Sequence, residues 1–458
     1  MNHIYHKFLE DAEQKSFDPE HRKRLDHNIG RYNEQVEKGE KQYKNLELAK
    51  RRAANIKHKI INNLDKYLVE FENNFSKRGG KIIWAPNEKD ALREILHIVK
   101  NARAQVIVKQ KTMVSEEIEL NQMLEKNKRE VFETDLGEFI VQIAGEKPFH
   151  ILTPAMHKSK EDVAKLFNEK FNLPPDSKPE QITQFVREKL RSEFLRADVG
   201  ITGGNFLIAD VGAVLLTENE GNGLLSIAFP KIHIAIVGIE KLIPSIEDLD
   251  LFLPLLAQHG TGQRITVYNN IVFGPRTEFE PDGPDEMYVI LLDNRRTELL
   301  KFREQRRALS CIRCGACLNG CPIYKSVGGF TYNATYSGPI GSVISPHFLG
   351  MKEYNHLSFA SSLCGKCTEV CPVKIPLHEL LLHNRHEAVM KKYVSFAWRN
   401  ITSGWKTVML HRWMIDKPKS GLKNKMINRF GKKMWGKRRS LPKIAPKSFK
   451  EQWKETHP

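Results

Sequence analysis

The chain has 458 residues, room for two or three domains at roughly 150 residues apiece. Its 40% hydrophobic and 28% charged residues give the balance of a globular protein, and no apolar run reaches the roughly 18–20 residues of a membrane span. The formal charge of +17 is concentrated in 391–458, where 19 Lys and Arg face only Asp416, Glu451 and Glu455, so the rest of the chain is almost neutral.

Positions 1–10 include His3, His6, Lys7 and Glu10 and no apolar core of a secretory leader, which makes the cytoplasm the expected address. Residues 1–74 are polar and helix-forming, with Ile56, Ile60, Leu64 and Leu68 at helical spacing, and predict amphipathic helices that support the body of the protein. From Gly79 the pattern alternates: a strand at 81–85, a helix at 88–99, a strand at 105–109, a helix at 115–126 and a strand at 131–134. Helices at 159–171 and 179–194 follow, and then the apolar runs 213–216, 232–237 and 287–292. The longest apolar stretch, 206–216, is broken by Asp210 and reads as a buried strand or helix. Strands that are apolar throughout, separated by helices, predict an α/β domain with a largely parallel, covered sheet over 75–295. The adjacent glycines Gly203 and Gly204 fit neither a dinucleotide fingerprint nor a phosphate loop and read as tight turns at strand ends. A helix at 295–309 leads into a cysteine-rich region, 296–390, in which 328–346 reads as a Gly/Ser/Pro-rich loop and 377–390 as a helix.

All seven cysteines lie between Cys311 and Cys371. A cluster of this kind in a large chain points to metal rather than to a disulfide framework. Cys311, Cys314, Cys317 and Cys321-Pro322 form the C-x2-C-x2-C-x3-C-P run of bacterial ferredoxins. Three thiolates at intervals of three wrap one corner of a cubane, Gly315 lets the backbone approach its sulfides, and the fourth cysteine serves the other cluster. Zinc is the main alternative, but it favours paired arms over four cysteines so closely spaced. The second group, Ser361, Cys364, Cys367 and Cys371-Pro372, is the same run with serine in the first place. Crossed ligation therefore predicts a [4Fe–4S] site from Cys311, Cys314, Cys317 and Cys371, and a second site from Cys321, Cys364 and Cys367. At the second site three possibilities stay open: Ser361 as an oxygen ligand, a [3Fe–4S] cluster, or an iron open to water or a hydroxy acid. The helical flanks suggest a helical two-cluster ferredoxin module.

The stretch ADVGITGGNFLIADVG with TENEGN, followed by the two cysteine groups ending in CTEVCPVKIP, resembles the lactate utilization protein B family over about 75–390. That family is the iron–sulfur component of a three-protein bacterial system for L-lactate oxidation. The resemblance implies an α/β domain related in fold to sugar-phosphate isomerases and CoA transferases. It also implies two iron–sulfur clusters, partners among the other proteins of the system, and electron transfer during oxidation of L-lactate to pyruvate. Glu218 resembles in context the nucleophilic glutamate of CoA transferases, a likeness of fold alone. A second reading is a self-contained enzyme whose three-cysteine cluster or α/β pocket acts on a hydroxy acid, and a third is a structural iron–sulfur protein. No flavin or nicotinamide motif is present to accept the electron pair of lactate, which favours an electron-transfer subunit.

The tail, 391–458, interleaves Trp398, Trp405, Trp413 and Trp435 with lysines and arginines. It predicts docking to an anionic membrane surface at the inner face of the membrane, or to an acidic redox partner, and carries no nucleic-acid motif.

Overall fold

The computed structural model describes residues 3–417, 419–431 and 440–457; Trp435 of the basic tail lies outside them. Residues 1–387 and 388–458 form two compact units.

In the first unit a six-stranded sheet contains β1 (Lys81–Ala85), β2 (Val106–Lys109), β3 (Glu130–Glu133), β4 (Val199–Thr202), β7 (Ile232–Gly238) and β10 (Glu286–Leu292). Their order is β1-β10-β7-β4-β2-β3, and every pairing is parallel. Side chains alternate across the pleat. Ile234 and Ile236 of β7 enter one core with Ile95 and Val99 of the helix Glu88–Asn101, while Ala235 and Val237 face the opposite core. With both faces covered, all four residues of β2 and of β4 are buried, including the polar ends Lys109 and Thr202.

The run at 213–216 belongs to a second sheet. There β5 (Phe206–Ile208) and β6 (Ala213–Glu218) form an antiparallel hairpin, flanked by β8 (Leu242–Ile243) and β9 (Tyr268–Val272). Gly212, at φ +58, closes the hairpin where a Cβ would meet the Phe75 amide nitrogen at 2.2 Å. The turn thus needs glycine for its backbone conformation and for the close approach of the helix Leu64–Ser76.

The N-terminal helices do more than extend the body. Asn45 caps the helix Leu46–Ile61 by accepting from Leu48 N–H at 2.9 Å. That helix packs on the 3-10 turn Gln305–Ser310 just before the first cysteine, and the helix His3–Ser16 packs on Pro322–Val327 just after the first group. Phe71 and Phe75, both fully buried and stacked 5.6 Å apart, anchor the helix Leu64–Ser76.

Three expected elements differ. The 115–126 helix is two, Met113–Glu117 and Leu120–Lys126, parted where Glu119 takes a left-handed conformation at φ 52. The 295–309 helix is a short helix, Arg296–Leu300, followed by the 3-10 turn, because Arg296 and Leu299 must be buried on one side and Ala308–Ser310 on another. The 328–346 segment is not a loop throughout: Gly338–Leu349 is a helix, followed by Met351–Phe359. Pro339 sits in its first turn, where a fixed φ favours helix, and every residue from Gly338 to Pro346, with Phe348, is buried. That all-round burial outweighs the loop-like composition.

The second unit, within its described residues, consists of helices that include Phe396–Leu410, Arg412–Asp416, Ser420–Met426 and Phe449–Thr456.

Candidate functional site

The two cysteine groups are copies of one backbone form, offset by fifty positions. In the first, Leu318 N–H and Asn319 N–H donate to Gly315 O at 2.9 and 3.2 Å, and Gly320 N–H donates to Ala316 O at 3.0 Å. In the second, Thr368 and Glu369 donate to Gly365 O at 2.9 and 3.2 Å, and Val370 donates to Lys366 O at 3.0 Å. Gly315 and Gly365 share φ values of 79 and 82, and Arg313 and Leu363 share left-handed values of 61 and 54. Each group is thus a loop with two left-handed residues running into a single helical turn, Ala316–Asn319 or Lys366–Glu369.

This form directs the cysteines inward. Cys311, Cys314, Cys317 and Cys371 line one enclosed cavity, closed by Ile151, Leu318, Ile340 and Leu377. Cys371 reaches it from the other group. Cys321, Cys364 and Cys367 form a second set close enough to perturb one another electrostatically. Among the described residues all seven thiols are free; Cys314, Cys317, Cys367 and Cys371 are buried and Cys364 is exposed.

Backbone N–H groups aim at the sulfurs: Arg313 N–H at Cys311 Sγ (3.4 Å), Tyr324 N–H at Cys321 Sγ (3.5 Å) and Ile375 N–H at Cys371 Sγ (3.3 Å). Burial pushes the Cys371 and Cys367 thiols up to about 11, with neighbouring thiolates adding to the rise, and pushes Cys314 and Cys317 upward as well. Such thiols stay protonated until a metal displaces the proton.

A test of whether these residues suit a negatively charged iron–sulfur cluster comes from the surrounding charges. Lys57, Lys241 and Arg313 interact electrostatically with Cys311, Arg296 joins them through Glu240, and among the described residues Glu117 and Glu240 are the carboxylates paired with the two arginines. Arg296, fully buried, donates from Nε to Glu240 Oε2 at 2.6 Å and from its terminal nitrogens to Glu117 at 2.9 and 3.0 Å. Arg313 lies 3.5 Å from Glu240 and 4.3 Å over the Tyr336 ring, and its buried Nη1 has no hydrogen-bond partner. Burial and neighbouring cations pull Lys57 down to about 7 and Lys241 to about 8. Arg296 and Arg313 stay charged, Lys57 and Lys241 are pulled toward neutrality for want of a counter-charge, and an orphaned guanidinium N–H lies beside the thiol cavity, so the site favours a further negative charge. A thiolate-held cluster supplies it, so the residues fit the group.

Sequence reasoning missed this cationic shell. Lys50, Ala53, Lys57 and Ile60 share the buried face of one helix, so the spacing itself carried the signal that two lysines point inward. Lys57 Nζ donates to the carbonyls of Glu240 and Leu242 at 2.8 and 2.9 Å.

On the α/β side, Glu218 is fully engaged. Its carboxylate accepts from Gly223 and Leu224 N–H at 2.5 and 2.9 Å, from Asn270 Nδ2 at 3.1 Å and from Gln110 Nε2 at 3.2 Å. A carboxylate so held caps the turn after β6 and offers no free oxygen for attack. Gly203 packs where a Cβ would meet Thr112 Oγ1 at 2.5 Å, and Gly204 packs against Val237 and Val214. Both glycines therefore serve close packing at the ends of the strands.

Family comparison agrees with this division of the chain. A LUD domain model matches residues 68–292 and a 4Fe-4S dicluster domain model matches 307–375. The chain therefore binds iron–sulfur. Lactate utilization protein B of Bacillus velezensis is 46% identical over 341 residues, covering 74% of this chain and 71% of that protein. The protein of the same name from Bacillus cytotoxicus is 45% identical over 337 residues, with the same coverage of both chains. A solved structure, a duf162 family protein from Deinococcus radiodurans, aligns over 50% of this chain and 98% of its own at 14% identity and a TM-score of 0.28, too low to carry an argument. The identity to the Bacillus proteins and the order of the two domains make this chain a member of the lactate utilization protein B family.

Proposed function

We propose that this chain is the iron–sulfur electron-transfer component of a multi-protein system that oxidises L-lactate to pyruvate. A role in lactate utilization follows from the family. In this reading Cys311, Cys314, Cys317 and Cys371 hold one [4Fe–4S] cluster, and Cys321, Cys364 and Cys367 hold a second. Four regions share the work: the helical brace 1–74, the α/β domain 75–295, the ferredoxin-type domain 296–390 and the basic tail 391–458.

The observation that carries the reading is Cys371, which belongs to the second motif yet lines the cavity of Cys311, Cys314 and Cys317. Crossed ligation of this kind brings two clusters next to each other, as electron relay requires. When bound, the clusters supply one-electron chemistry at a potential set by their surroundings. The chain's own residues exclude water from the first site through Ile151, Leu318, Ile340 and Leu377, and place cations and N–H donors around its sulfurs.

The test is anaerobic purification followed by iron and sulfide analysis and EPR. Two interacting cluster signals are expected, together with reduction by lactate only when the other proteins of the system are added. Lactate oxidation by the isolated chain would favour the self-contained enzyme instead. A colourless, folded protein loaded with zinc would end the redox reading.

The tail supplies the docking element in this scheme. Helix Phe396–Leu410 exposes Trp398, Ile401, Trp405, Val408 and Met409 on one face, with Arg399 and Lys406 on the other and no acidic residue. An apolar face bearing tryptophans, backed by cations, suits the interface of an anionic bilayer. The full chain should co-sediment with anionic vesicles at low salt and be released at high salt, and a chain lacking 392–458 should stay in solution. Equal sedimentation of both chains, or binding only to an acidic protein partner, would reject the membrane.

A further inference from the structure

We propose that Ser361 Oγ is the fourth ligand of the second cluster, completing the set of Cys321, Cys364 and Cys367. The inference rests on the two-cluster reading above and assigns the corner of the second site that no cysteine fills.

Ser361 stands fifty residues after Cys311, in a loop whose backbone hydrogen bonds match those of the first group to within 0.1 Å through Val370. The side chains also match. Arg313 N–H donates to Cys311 Sγ at 3.4 Å, and Leu363 N–H donates to Ser361 Oγ at 3.2 Å. The same donor, two residues on, therefore holds the serine oxygen where the first loop holds a sulfur.

The loop accepts a cost for this geometry. Leu363 takes φ 54, a left-handed conformation that a leucine side chain disfavours. The segment is also pinned. Arg385 of the helix Leu377–Met390 donates to Ser358 O and Ser361 O, both at 2.9 Å, fixing the backbone that carries the hydroxyl and setting a cation beside the site.

The chemistry follows from exposure. Ser361 is partly exposed and Cys364 exposed, so as the iron–oxygen bond forms the hydroxyl proton passes to solvent and the resulting alkoxide is the ligand. The Leu363 N–H, already donating to that oxygen, stabilises its negative charge. An oxygen ligand is harder than a thiolate and favours the oxidised iron. The second cluster is then a closed site with a low potential, in place of an iron open to substrate.

The experiment compares wild-type protein with Ser361→Ala and Ser361→Cys, all purified anaerobically, by iron content, EPR before and after mild oxidation, and potentiometric titration. Wild type should hold about eight irons in two [4Fe–4S] clusters and resist oxidative loss. Ser361→Ala should lose about one iron on oxidation and develop a [3Fe–4S] signal, while the unchanged first-cluster signal certifies the fold. Ser361→Cys should keep all its iron and show a raised second potential. The inference is overturned if Ser361→Ala matches wild type in iron content, oxidation and spectrum, or if lactate or citrate alters the wild-type second-cluster spectrum as an exchangeable ligand would. Absence of any cluster from wild type would instead bring down the two-cluster reading itself.

Discussion

The two cysteine groups share a backbone and differ in nearly everything around it. The 311–321 loop is sunk between the α/β domain and the N-terminal helices, with Arg313 stacked on Tyr336 and paired with Glu240. The 361–371 loop presents Cys364 and Lys366 to solvent and has Leu363 where the first has an arginine. Local backbone geometry fixes where ligands point. Burial and charge then decide the potential those ligands experience, because a cation or N–H donor stabilises the more negative reduced cluster. The comparison teaches that one duplicated motif places its cysteines in two unequal electrostatic surroundings.

The harshest way to break the comparison is to remove the cysteines that cross between the loops. Cys371→Ala should abolish the buried first cluster while sparing the exposed one, although the mutation lies in the second motif. Cys321→Ala should do the reverse. Iron content should fall by about half in each case, with one set of EPR signals remaining. If Cys371→Ala removes the second cluster and leaves the first, ligation is not crossed and the cavity has been misassigned.

Next in size is the wiring that only the first loop possesses. Arg296→Met strands Glu117 and Glu240 without their main partner and should cost about 3–5 kcal/mol of stability, read as a lowered thermal midpoint with the first cluster lost before the second. The pH dependence has a definite sign. Although burial pushes it up, Arg296 and Arg313 hold Glu240 at about 2, below its ordinary 4.5. The unfolded chain therefore binds the extra proton, and this contribution is present above about pH 4.5 and lost as pH falls toward 2. In Arg296→Met that acid-side loss should begin at higher pH. An unchanged midpoint and acid profile would make the network ornamental.

A smaller effect sharpens the electrostatic contrast. Arg313→Gln should lower the first cluster's potential, by on the order of 100 mV for the loss of one nearby charge at an effective dielectric near 20. Leu363→Arg should raise the second potential in the same sense but less, since its loop is exposed and screened. Equal responses at both sites would show that burial does not separate them.

Much of this was legible in the sequence and some was not, for identifiable reasons. The strands at 81–85 and 232–237 announced themselves through apolar runs interrupted only by Lys81 and His233, and the cysteine spacing named its metal chemistry, because both signals are local. The helix Gly338–Leu349 was hidden because its glycines, serines and prolines read as loop, while its stability comes from burial on all sides beside the cysteine region. Helices Leu136–Ala144 and Leu249–Thr261 drew no expectation at all. The ion pairs of Arg296 join residues 56 and 179 positions apart, which no window can see. Arg313 drew no expectation because its role depends on Glu240 and Tyr336, both supplied by the fold.

The finest difference between the loops is one hydroxyl. Thr368 occupies the place of Leu318; its N–H donates to Gly365 O at 2.9 Å, and its polar groups work to lower the Cys367 thiol, which burial pushes up to about 11. The same Oγ1 lies 2.7 Å from His378 Nδ1 and accepts from His378 N–H at 3.3 Å, so the hydroxyl is held in place by the start of the helix Leu377–Met390. Leu318 gives Cys317 no such donor. Thr368→Val should therefore make the second site resemble the first in this respect and lower its potential by about 40 mV, the equivalent of one hydrogen bond of about 1 kcal/mol. The first potential should not move. If the second does not move either, the proton points at His378 rather than at sulfur. His378→Ala would then free the hydroxyl to turn, and the second potential should rise by a similar amount.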